Sequence, residues 1–306
     1  MPSLANIPTS WKTWWGRLNK LANSSEVNTN KLKDFIAKPP REPEMFTVSA
    51  SDMTPTDVND FFGLSEVQGY ETWQFSREFV QLGSGFESWI NTFEDFTRSS
   101  KPTEARSRCK IDVLLHAVYE DLQYRGFLEE DRKATLQFET SLEWGPVKYL
   151  SKPYKCVGKA DYSLFLGNHN HMACHLVILE AKQDRNAASG QGQLLAYMAM
   201  VQASRKARGQ SDSTVWGALS DGHWFYFFRL NNTAKWSVVA YQVSRDGWGA
   251  IANMIAFMIL QGYQTALSPL RSSGSSNPSA RASIVSAKAP RLPSLHIKEV
   301  IEESVD

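Results

Sequence analysis

Val157-Gly158-Lys159-Ala160-Asp161 and Leu176-Val177-Ile178-Leu179-Glu180-Ala181-Lys182 put two carboxylates and a lysine where hydrolysis of a phosphodiester would need them. In an extended chain side chains alternate with period two. Glu180 and Lys182 therefore share a face with Leu176 and Ile178, while Asp161 shares one with Val157, Lys159, Ser163 and Phe165. An antiparallel return through the turn-rich Gly167-Asn168-His169-Asn170-His171 would bring Asp161 beside Glu180. Two acids so placed repel and are poorly solvated at the end of apolar strands, so a cation must sit between them or one must hold a proton. Mg²⁺ or Mn²⁺ answers that need, since both take hard oxygen ligands and share them with water and phosphate. Lys182 would then orient the attacking water or stabilise charge on the phosphate oxygens. The competing reading is a surface hairpin with a Glu/Lys pair at its end, a common arrangement.

Two helices must position these groups. Thr103 is a candidate N-cap, and Ile111, Leu114, Leu115, Val118 and Leu122 recur at the spacing of one helical face. Glu104 projects near the angle of Leu115 and Leu122, which could carry its carboxylate to the rim of a metal site. A first-turn Glu favoured by the helix dipole is the equal alternative. Glu120 projects nearly opposite and reads as solvated. After Lys182 the stretch from Ser189 to Val201 has the apolar density of a helix. Gln193 and Tyr197 stack at i and i+4, where an amide and a phenol can hold a water, a phosphate or Lys182. Simple packing of a buried helix is the competing explanation, with Gln191 as substitute if the helix starts later.

A helix with Glu104, a strand, a strand with Asp161, a strand with Glu180-Ala181-Lys182 and a helix with Gln193 and Tyr197 resemble, in that order, the PD-(D/E)XK nuclease superfamily. The opening helix Thr103–Ala117 is similar to that of the nuclease domain of type I restriction subunits, and Ala218-Leu-Ser-Asp221-Gly-His-Trp-Phe-Tyr226 resembles their following strand-turn-strand. The resemblance covers the middle third to half of the chain. It implies a restriction-endonuclease-like fold, a central mixed sheet flanked by helices, and a Mg²⁺- or Mn²⁺-dependent nuclease. It also implies that Asp161 and Glu180 bind the metal, Lys182 assists the water and Glu104 adds to the metal shell. Ala160 stands where the motif has Pro, and the spacing from Asp161 to Glu180 is long.

The rest of the chain is organised around that core. Its 306 residues, 42% hydrophobic, suffice for one substantial core and a smaller unit. Residues 1–101 read as a mostly helical, aromatic-rich region of unknown role, with a helix around Trp11 to Leu21, a Pro-rich joint at Pro39–Pro43 and a largely helical stretch from Thr56 to Phe96. Residues 102–265 form the mixed α/β core. Strands near Ser213 to Leu219, His223 to Leu230 and Trp236 to Val243 are expected, the first two joined at Asp221-Gly222, with a closing helix through Ile251 to Ile259. Residues 266–306, rich in Ser and Pro, read as a disordered tail.

A net charge of +1 does not advertise nucleic-acid binding, but Lys148, Lys152, Lys155 and Lys159 flank Asp161, and Arg185, Arg205, Lys206 and Arg208 flank the Gln193 helix. No run of eighteen apolar residues occurs, so an intracellular, non-membrane protein is expected. Cys109, Cys156 and Cys174 show no paired spacing and read as reduced thiols. His169, His171 and His175 read as solvated loop residues rather than zinc ligands. The expectation is therefore hydrolysis of DNA, ahead of RNA, by metal-activated water. The alternative is a nuclease-fold binding or effector module of weak or no activity, acting through nucleic acid or through a protein partner held by the amino-terminal region or the tail.

Overall fold

The computed structural model describes residues 9–23, 29–38, 45–67, 70–75, 78, 80–101, 103–128, 134–166, 175–182, 187–266 and 295–300, with backbone alone at 9–12, 70–72, 74–75, 166, 175–180, 187–188, 266 and 295–300. Helices and strands mix along the chain. Before residue 102 come α1 (Thr9–Ala22), α2 (Thr29–Ile36), β1 (Phe46–Ser49), α3 (Pro55–Phe62), β2 (Ser65–Glu66), β3 (Tyr70–Phe75) and α4 (Ser84–Thr97). Then follow α5 (Glu104–Tyr124), β4 (Ala134–Tyr149), β5 (Lys152–Leu166), β6 (His175–Ala181), α6 (Gln191–Ala207), β7 (Val215–Ser220), β8 (Trp224–Leu230), β9 (Lys235–Gln242), α7 (Val243–Ala266) and β10 (Leu295–Val300). The stretch from Thr56 to Phe96, expected to be largely helical, is interrupted by β2 and β3. Tyr70-Glu-Thr-Trp-Gln-Phe75 is rich in residues that favour a pleated surface, and this outweighs the helical signals around it.

The chain forms two compact units, Met1–Val48 with Gly145–Lys155, and Ser49–Trp144 with Cys156–Asp306. In the first, Trp14 stacks on Phe35 at 5.5 Å and Phe46 lies 5.2 Å from Tyr154. The second unit holds every described side chain of the expected site. Its sheet runs β5-β6-β7-β8-β9-β2, with β4 paired to β5. β6 is parallel to β7 and β2 to β9, while β5–β6, β7–β8 and β8–β9 are antiparallel, so the sheet is mixed.

Helices cover both faces of this sheet, and the period-two alternation decides which strand residue meets which helix. Trp216 packs edge-on against Phe257 of α7 at 5.2 Å, and with Ala218, Tyr162, Leu164 and Ala181 it joins one buried cluster with α5 and α7. Gly217, between them, faces α6, where an added methyl would meet Met198 Sδ at 2.6 Å. Ile111, Leu114, Leu115, Val118 and Leu122 of α5 are all buried, as their spacing predicts. Each such burial contributes roughly 1.5–3 kcal/mol. The helix starts where Thr103 Oγ1 accepts from Arg106 N at 3.3 Å, a cap that stabilises by about 1 kcal/mol.

The β7–β8 turn falls at Asp221-Gly222, where Gly222 adopts φ +80° and Asp221 Oδ1 accepts from His223 N at 3.0 Å and Trp224 N at 2.8 Å. Within the stretch whose composition reads as disordered, β10 pairs antiparallel with β3, from Leu295 opposite Phe75 to Val300 opposite Tyr70. Leu-His-Ile-Lys-Glu-Val alternates in a way that composition alone does not register. Residues 267–294 and 301–306 lie outside the described residues.

Candidate active site where two strands and two helices meet

β5 and β6 pair with Tyr162 opposite Leu179 and Ser163 opposite Ile178. Continued one step, that register would face Asp161 with Glu180, the juxtaposition expected from the sequence; the direct contact there runs from Ala181 N to Asp161. The loop expected to make that return, Gly167–His171, lies outside the described residues, as does the Glu180 side chain. Glu180 is fixed through its backbone, which pairs with Leu219 on β7. Asp161 is described in full. Its side chain is 9% exposed; Oδ2 accepts from Ala181 N at 2.8 Å and Oδ1 binds Arg108 Nη2. Burial pushes this carboxyl above its ordinary range. The Ala181 N–H and the charges of Arg108 and Lys182 pull it back, Glu104 adds to the rise, and the net displacement is upward.

Lys182 follows β6 directly and is held from α6. Its Nζ donates to Gln193 Oε1 at 2.8 Å, Gln193 Nε2 donates to Tyr197 Oη at 2.8 Å, and Tyr197 Oη donates to Lys159 O at 2.9 Å while accepting from Lys159 N at 3.2 Å. The i, i+4 pair on α6 thus spans from Lys182 on one strand to the backbone beside Asp161 on the next. Two glycines leave room for this chain of bonds. A methyl at Gly190 would lie 2.5 Å from Lys182 Cε, and one at Gly158 would run into the Tyr197 ring. At the start of α6, Gly192 packs directly on the backbone of Met53 and Thr54, which fixes the helix against the sheet.

Glu104 sits half-buried in the first turn of α5, and the structure gives it a partner that the sequence reading passed over. Arg108, one turn on, reaches three acids through its guanidinium: Nη2 to Glu104 Oε1 at 2.8 Å, Nη2 to Asp161 Oδ1, and Nη1 to Glu139 Oε1 at 3.1 Å. Glu139 also binds Lys159 Nζ. It lies in β4 with φ +56°, and there the alternation of burial slips, so that Phe138 and Glu139 are both exposed. A left-handed residue inside a strand is a strained conformation that breaks the local alternation. Arg108 and Glu139 were hidden for opposite reasons. Arg108 is one of many charged residues on its helix, and Glu139 breaks the very periodicity used to read strands.

Among the described residues, no group of three or more His, Cys, Asp or Glu side chains is arranged to hold a metal ion. Around Arg108 the acids face a guanidinium rather than one another. Compared with known proteins, the chain matches no family model and no curated protein.

Proposed function

We propose that this chain is a metal-dependent nuclease with a restriction-endonuclease-like core, hydrolysing phosphodiester bonds of DNA. The observation that supports the reading is the antiparallel pairing of β5 with β6 from Tyr162 opposite Leu179, a register that continued one step would face Asp161 with Glu180, while Gln193 holds Lys182 just past the end of β6. A divalent cation suits the residues present. Asp161 is buried, desolvation outweighs the pull of Arg108 on its carboxyl, and its oxygens are the hard donors that Mg²⁺ and Mn²⁺ prefer. Asp161, Glu180 and Glu104 would hold the ion, which when bound supplies charge neutralisation at phosphate and an acidified water.

The chain's own groups do the remaining work. Lys182, fixed at its amine by Gln193, presents a positive charge to a phosphate oxygen and orients the incoming water by hydrogen bonding. Tyr197 holds Gln193 and the backbone of Lys159, linking the support of the amine to the strand that carries Asp161. Lys159 is 57% exposed and offers a further contact for the phosphate backbone.

Arg108 within the acidic cluster favours the second reading, a nuclease-fold binding module whose site is already neutralised. The two part on one assay: cleavage of plasmid, linear and single-stranded DNA with Mg²⁺, Mn²⁺ or EDTA, for wild type, Asp161→Ala and Lys182→Ala. The nuclease reading expects metal-dependent cleavage that both substitutions abolish. Identical behaviour of all three proteins, with no metal bound in calorimetry, transfers the conclusion to the binding module.

A further inference from the structure

Arg108 is the least expected member of the site. Its guanidinium is the only group among the described residues that touches Glu104, Asp161 and Glu139 together. Its Nε is buried and has no hydrogen-bond partner among the described residues. The fit is therefore electrostatic rather than complete, and a buried donor left unsatisfied disfavours this position of the side chain. Glu139 and Glu104 are both half-exposed, whereas Asp161 is buried. Glu139 lies on β4, away from α5 and β5, has a left-handed backbone, and already shares the Lys159 ammonium.

We propose that Arg108 is an internal competitor for the cation of the proposed active site, and that Glu139 is its alternative partner. Resting on the nuclease reading above, the inference adds a regulation of that same site. With no cation bound, Arg108 neutralises Asp161 and Glu104. When a divalent cation takes those carboxylates, Arg108 withdraws to Glu139 at the protein surface, where its charge is open to a substrate phosphate. Cation and guanidinium exclude each other from Asp161, so each weakens the other's hold by the same factor. Metal affinity is thereby held down, and the displaced arginine becomes available to the polyanion that the loaded site is built to take. Arg108 is a positioning residue in this scheme.

The test is Mn²⁺ binding to the full chain, read by calorimetry and by loss of the free-ion electron paramagnetic resonance signal, with melting temperature measured alongside. Arg108→Gln should bind Mn²⁺ about tenfold tighter than wild type, within the usual span of coupling between exclusive ligands. Arg108→Lys, which cannot reach three acids at once, should fall between. Glu139→Gln should bind Mn²⁺ more weakly, and should lose most of that effect in the Arg108→Gln background, because Glu139 acts through the arginine. Mn²⁺ on wild type with unchanged or weaker affinity in a folded Arg108→Gln protein overturns the inference alone. An undiminished Glu139 effect in the double variant overturns the role given to Glu139. No Mn²⁺ on any of the proteins overturns the nuclease reading and this inference together.

Discussion

At Gly190 an added methyl would stand 2.5 Å from Lys182 Cε and 2.8 Å from Leu219 Cδ1. The lysine chain is the softer of the two neighbours, so Gly190→Ala should leave the fold intact and move the amine off Gln193. The expected outcome is a fall in DNA cleavage of at least about tenfold, with Mn²⁺ affinity unchanged; equal cleavage by the variant would remove Lys182 from its assigned place. Tyr197→Phe asks the complementary question. It deletes one hydroxyl that serves Gln193 and both backbone groups of Lys159, and should cost about 1–3 kcal/mol of stability in urea unfolding. Residue types and spacing made Gln193 and Tyr197 legible in the sequence, since i, i+4 neighbours on a helix meet whatever the fold around them. Nothing comparable marks Arg108 or Glu139, the second of which has a left-handed backbone inside a strand.

Elements are tied to one another by a second set of charges. Glu94 on α4 binds Arg106 at 2.5 Å and also Lys110 of α5, whose side chain is only 2% exposed. Lys110 in turn reaches Gly222 O at 3.4 Å, and Ser107 Oγ donates to Asp221 O at 2.8 Å, so α5 grips the β7–β8 turn. Burial alone would raise the Glu94 carboxyl, but the hydrogen bond and charge of Lys110, with the charge of Arg106, carry it below its ordinary value of 4.5. A depressed carboxyl stabilises the fold at pH above that ordinary value and ceases to do so as pH falls through the lower, folded one. Glu94→Gln should therefore destabilise at neutral pH by up to about 3 kcal/mol, the scale of leaving a buried charge without its partner. The difference from wild type should vanish in acid, as thermal melts across pH will show. Helix and strand types were legible where periodicity was long, as in α5, α7 and the β7–β8 hairpin. Short elements such as β2 and β3 were not, because two and six residues carry too little periodicity to outvote their neighbours.

For the whole molecule, the described thiols report how the second unit opens. Cys109 is exposed, whereas Cys156 is fully buried and burial pushes its thiol up to about 11. Alkylation should mark Cys109 at once and Cys156 only as fast as the core unfolds, so mass spectrometry of timed labelling gives an opening rate; prompt labelling of Cys156 would contradict the packing described. That helices and strands mix was legible from patterns along the chain, whereas the mixed sheet with helical faces was expected from the resemblance alone. The division that groups Gly145–Lys155 with the first 48 residues did not, since it pairs segments about a hundred positions apart and no local signal encodes it. The left-handed backbone at position 139 carries a last consequence. Such a conformation costs a residue with a β-carbon about 1–2 kcal/mol, and glycine escapes most of that. Glu139→Gly would trade that relief against the ion pairs to Arg108 and Lys159, so its melting temperature should stay close to the parent's while, on the reading proposed above, its Mn²⁺ affinity changes. Heat tolerance would then be nearly blind to a position on which the proposed cation exchange depends.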